Sequence, residues 1–134
     1  MSEAKRILEM IEGVSPDDVG TLDEIDARVW CWITKHQKCP HRVAVNNARV
    51  KKYTRSRDAL KSIRPDGWNV QISYGRSVHL KHKTTALVSM ISHKDGHEVT
   101  SPNKTDTALP TEELAELHAI IQAIEWERSH EKRD

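Results

Sequence analysis

The 134-residue chain has no phenylalanine, five glycines, five prolines and two cysteines, and each scarcity closes off a class of protein. With four Trp and two Tyr as its only aromatics, it lacks the aromatic-rich strands on which RNA-recognition modules stack bases. Cys31 and Cys39 are expected to stay reduced in the cytoplasm. The scattered glycines form no phosphate-cradling loop, and neither a nucleophile elbow nor a metalloprotease helix is present. No apolar run approaches the roughly 20 residues of a membrane span. The opening "MSEAKRILEMIEG" is too acidic, and its apolar part too short, for a signal peptide. These absences lead to the expectation of a cytoplasmic protein with no membrane association and no cofactor.

What is there is 37% hydrophobic and 31% charged, a composition that folds rather than stays disordered. A chain of this length forms one domain and buries roughly two-thirds of its unfolded surface. Residues 1–134 are therefore read as a single domain, with 1–20 a loosely attached N-terminal helix and 128–134 a frayed tail. The net charge of +1 conceals a segregation. Residues 1–30 carry eight acids and three bases, residues 31–105 fifteen bases and four acids, and residues 106–134 eight acids and three bases. Such a basic middle, which also holds six of the eight His, can bind phosphate or face the acidic ends of its own fold.

The periodicity predicts a helix at Glu3–Glu12, with Ile7, Leu8 and Ile11 on one side and Gly13 as its stop. Thr21 and Glu24 read as a capping box opening a helix to Lys35, with Leu22, Ile25, Val29, Trp32 and Ile33 inward and Cys31 on the far side. Residues 37–52 lack a period and are read as a loop, with a short strand at Arg42–Val45. Thr54 is expected to cap a helix of two to three turns ending before Pro65, followed by a Pro65-Asp66-Gly67 turn. Beyond it Trp68, Val70, Ile72 and Tyr74 alternate with polar residues, and Gly75-Arg76-Ser77 reads as a turn into a strand at Val78–Lys81. Thr85–Ser92 is nearly continuous apolar strand, and Lys94-Asp95-Gly96 makes a hairpin to His97–Ser101. A final helix opens at Pro110 or Thr111, with Leu114, Leu117, Ile120, Ile121 and Ile124 inward. The fold class is α+β: a three- to four-stranded antiparallel sheet packed with helices before and after it, an αβα sandwich-like arrangement.

Tyr53-Thr54, Asp58-Ala59-Leu60, Pro65 and Gly67-Trp68, followed by an alternating strand and "TALPTEELAELHAIIQAI", resemble small phage and prophage proteins carrying the phage ABA sandwich domain. "LDEIDARVWCWI" looks like that family's opening helix, so the resemblance spans roughly Thr21 to Trp126. The last helix departs from the family's Ala-rich, Thr-Pro-Ala opening, and residues 37–52 match nothing in it. The resemblance implies a sheet between helical layers and a phage accessory gene; it carries over no catalytic residue and no cofactor.

Four sets of residues carry candidate chemistry. Arg57, Lys61 and Arg64 fall on one face of a helix, where with Arg49, Lys51 and Lys52 they could contact phosphates or simply form the solvated back of an amphipathic helix. Trp30 is either the anchor of a partner-binding surface or the cover of a neighbouring helix. Cys31, His36, Cys39 and His41 lack the spacing of a zinc knuckle, so no metal site is assigned. His93 and His97 with Asp95, and His79 and His82 on the neighbouring strand, could form a general base or a metal site.

The expectation is a non-enzymatic phage-encoded binding protein, an inhibitor of a host defence complex in the manner of an anti-CRISPR protein. Its partner would be a host protein or nucleoprotein. The alternatives are a nucleic-acid-binding accessory protein using 49–64 and a metal-dependent nuclease. Homodimerisation stays open, because acidic ends of one copy could pair with the basic middle of another.

Overall fold

The computed structural model describes residues 3–34, 50–77, 83–102, 109 and 111–131. Helix α1 (Glu3–Gly13) buries Ala4, Ile7 and Ile11, one stripe at helical spacing. Rather than hanging loose, it lies in the main core against α2 and the last helix. Helix α2 (Val19–Thr34) starts earlier than a Thr21–Glu24 capping box predicts. Asp18 is the cap: its Oδ1 accepts the Thr21 N–H at 3.2 Å and its Oδ2 the Thr21 hydroxyl at 2.7 Å. Those two bonds hold the Asp18 carboxyl below its usual range. Glu24 turns instead to Arg28, one turn on.

Leu22, Ile25 and Val29 are buried on α2 as the stripe requires. So are Ala27 and Cys31, which form a second small cluster with Trp30 and Val50 against them. Cys31 thus lies in a covered flank, not on a wet back, and Trp30 packs against both clusters. The predicted strand at Arg42–Val45 falls outside the described residues.

Helix α3 (Arg57–Lys61) is a single short turn capped by Ser56, whose side chain accepts from the Ala59 N–H. It is shorter than predicted because Ser56, not Thr54, caps it. Thr54 is buried, and its N–H goes to Asp26. The turn before the sheet forms as expected, with Gly67 at φ 84°, a conformation open to glycine.

Strands β1 (Trp68–Ser77), β2 (Lys83–Ser92) and β3 (Glu98–Thr100) form one antiparallel sheet in that order. Gly75-Arg76-Ser77 is not a turn; it continues β1 and pairs with Thr85, Thr84 and Lys83. The strand expected at Val78–Lys81 falls outside the described residues. The hairpin into β3 closes through Gly96, at φ 72°. One sheet face carries Trp68, Val70, Ile72, Val88, Met90 and Val99 into the core; Asn69 and Gln71 are exposed on the other.

Helix α4 (Glu112–Glu131) is capped by the Thr111 hydroxyl, which accepts the Leu114 N–H. Every residue from Leu114 to Ile121 is buried, so the helix has no wet face there. Its neighbours explain this: α4 packs on β2 and β3 on one side and meets α1 and α3 elsewhere. The α+β class holds, with helices before and after an antiparallel sheet. The layer order is not that of a sandwich around the sheet. Among the described residues α4 is the middle layer, because it alone is apolar on all sides. No helix of the described residues is long and apolar enough to cross a membrane.

Ile120 is fully buried on α4, whereas Val19 is 56% exposed. Ile120→Ala is expected to cost about 2–5 kcal/mol and Val19→Ala under about 0.5 kcal/mol, measured by urea unfolding.

Candidate functional site

The residues singled out for phosphate contact are largely engaged within the fold. Arg57 reaches Glu112 of α4 at 2.8 Å. Arg64 grips Glu116 through two bonds, Nη2 to Oε1 at 2.5 Å and Nε to Oε2 at 3.3 Å. Lys52 contacts Asp23 at 2.9 Å. The picture of Arg57, Lys61 and Arg64 as three free cations is therefore corrected: α4 presents acids at 112 and 116, and the two arginines follow them. Lys51 and Lys61 are exposed and make no ion pair among the described residues. Arg49 lies outside the described residues.

A second cluster ties the segment before α3 to α2. Asp26, 1% exposed, accepts the Thr54 N–H at 2.9 Å and Arg55 Nη2 at 2.8 Å. Burial holds its carboxyl above the usual range, against the pull of Arg55 and the Thr54 N–H. Asp23 also takes Arg55; with Lys52, this keeps its carboxyl low. Arg28 joins α2 to α1 through Glu3 at 3.2 Å.

The hairpin tip is a structural contact, not an array of bases. His97 stacks on Trp126 of α4 with centroids 3.4 Å apart and planes 4° off parallel, and Trp68 meets His97 edge-on at 6.3 Å. Asp95 accepts the His97 N–H at 3.0 Å, and this holds its carboxyl below the usual range. Trp68 Nε1 donates to Glu127 at 2.6 Å. His93 is exposed. His79 and His82 lie outside the described residues, as do His36, Cys39 and His41; Cys31 is a free, buried thiol. Among the described residues no cluster of His, Cys, Asp or Glu is arranged to hold a metal.

Sequence reasoning missed His118, Glu116 and Asp26, all buried. The only signal was the interruption of an apolar run by Glu116 and His118 in "LAELHAII". His118 Nδ1 lies 2.8 Å from Gln122 Nε2, which also donates to the Thr100 carbonyl at 2.9 Å. A donating amide makes Nδ1 an acceptor, so the proton sits on Nε2, 3.5 Å from Glu12. Burial lowers the pKa of His118, with Glu12 pulling the other way.

What remains for a partner is the sheet face turned away from α4. Its described side chains are Asn69, Gln71, Leu87, Ser89, Ile91, Glu98 and Thr100, none of them a cation. The mixture of uncharged polar and aliphatic groups suits a protein surface, whereas phosphate binding calls for Lys and Arg. Compared with protein-family models, curated proteins and solved structures, the chain matches none.

Two outcomes follow from the buried polar groups. Arg64→Ala strands Glu116, whose side chain is 1% exposed, and is expected to cost about 3–5 kcal/mol. Glu116→Gln, which leaves Arg64 free to reach water, should cost less; chemical denaturation of both variants checks the order. For His118, the lowered folded value means that the unfolded chain binds the extra proton first. Stability is then complete above the ordinary value of 6.5 and falls as pH drops through 6.5 toward the folded value. Urea midpoints of wild type and His118→Gln should converge as pH falls from 8 to 5.

Proposed function

We propose that the protein is a non-enzymatic binding protein that acts by occupying a surface of a protein partner. The observation that carries this reading is the contrast between its two faces. The basic block is spent on its own acids, while the open sheet face is uncharged at its centre around Ser89 and Ile91. The resemblance of Tyr53–Trp68 and the last helix to small phage proteins supports a more specific version: a phage-encoded inhibitor that binds a host defence complex stoichiometrically, as anti-CRISPR proteins do. That version places it in the cytoplasm of the bacterial host.

Affinity capture from a bacterial lysate, before and after nuclease treatment, tests the reading. A host protein should be retained after nuclease, and Ser89→Arg, on the central strand, should abolish its retention without changing the thermal unfolding of the protein. Retention that disappears with nuclease would sink this reading in favour of a nucleic-acid-binding protein using Lys51 and Lys61. Unchanged retention by the folded Ser89→Arg variant would sink the choice of the sheet face.

A further inference from the structure

The β1–β2 ladder determines which main-chain groups of β1 are already used. The His93 N–H donates to the Gly67 carbonyl at 2.8 Å, and the register runs on without a bulge from Trp68↔Ser92 to Ser77↔Lys83. Bonded and non-bonded pairs alternate along an antiparallel ladder. Hence Gly67, Asn69, Gln71 and the following odd positions bond to β2, while Trp68, Val70, Ile72, Tyr74 and Arg76 direct their N–H and C=O groups away from it. The other side of β2 agrees: Ser92 donates to His97, and Ser101 donates to Val88, which places the even positions of β2 toward β3. β1 is at the margin of the sheet, and among the described residues no strand pairs with its outer side.

Three features of this edge point to one occupant. An exposed edge is ordinarily guarded by Lys, Pro or a bulge; "WNVQISYGRS" has none of these and no acid. Helix α4 packs along β2 and β3, which leaves Val70 and Ile72 only half-buried beside the open edge. The strand is also self-complementary. A two-fold axis through Ile72 uses the full set of outward positions and sets Ile72 opposite itself, Val70 opposite Tyr74 and Trp68 opposite Arg76. The single charge of the strand then comes opposite an aromatic residue rather than its own copy.

We propose that the outer edge of β1 is the interface of a homodimer, in which two copies pair antiparallel about Ile72 and join their three-stranded sheets into one continuous sheet. The pairing satisfies the outward N–H and C=O groups from Trp68 to Arg76 and covers the exposed flanks of Val70 and Ile72. It does not depend on the partner-binding reading, since Ser89 lies on β2 away from this edge.

Sedimentation equilibrium combined with residue-resolved amide exchange tests the proposal. The mass should be that of a dimer at high concentration. The amides of Val70 and Ile72 should exchange slowly there and rapidly on dilution, while those of Asn69 and Gln71 stay protected at both. Gln71→Lys, an exposed position close to the axis, should weaken the dimer at least tenfold and leave monomer unfolding unchanged. Three results would overturn the proposal: a monomer at every concentration, Val70 and Ile72 amides already protected in the dilute monomer, or a dimer indifferent to Gln71→Lys with its protection elsewhere.

Discussion

A helix buried on every side is the constraint from which the other contacts follow. Eight consecutive residues of α4, Leu114 to Ile121, are removed from solvent, so any polar side chain among them must find its partner on another element. Glu116 takes Arg64 from the segment before the sheet, and His118 takes Gln122 one turn along and Glu12 from α1. Outside the buried stretch the same helix holds Arg57 at its start, the hairpin tip through Trp126 and Trp68 through Glu127. Arg128 lies over the Trp32 ring at 4.5 Å and donates to the Trp32 and Ile33 carbonyls, the last turn of α2, where a cation is favoured by the helix dipole. One helix thereby sets the position of nearly every other element.

The charge segregation of the chain has the same origin. Acids from the two ends meet bases from the middle: Asp23 and Asp26 with Lys52 and Arg55, Glu112 and Glu116 with Arg57 and Arg64. Exposed pairs of this kind contribute little. The two built on Asp26 and Glu116 differ because each carboxylate is desolvated, so that loss of the partner is far more costly than the pair is worth. Their effect is to select one register of α4 and of the 52–55 turn over its neighbours.

Elements with a strong period were legible in the sequence. The Ile7/Ile11 stripe, the Trp68–Ile72 alternation, the Pro-Asp-Gly turn and the hairpin at Gly96 all form, because local sterics and apolar spacing decide them. The misreadings concern competition between equivalent local options. Asp18 and Thr21 both suit a helix cap, and so do Thr54 and Ser56; tertiary bonds chose Asp18 and Ser56. Gly75 reads as a turn residue yet sits in a strand, since pairing with Thr85 outweighs its propensity. The candidate site was the least legible part: spacing shows that Arg57 and Arg64 share a side, but only the fold shows that Glu112 and Glu116 stand opposite them.

The position of α4 in the chain bears on how the protein is made. At roughly 5–20 residues per second, the last 20 residues take about one to four seconds to add, and until they emerge α1, α2 and the sheet have no shared surface to close upon. The earlier two-thirds of the polypeptide leaves the ribosome with Ile7, Ile25, Val88 and Met90 uncovered. Folding is therefore post-translational and all at once, and a nascent or C-terminally nicked chain presents the cell with a sticky half-core rather than a smaller stable domain.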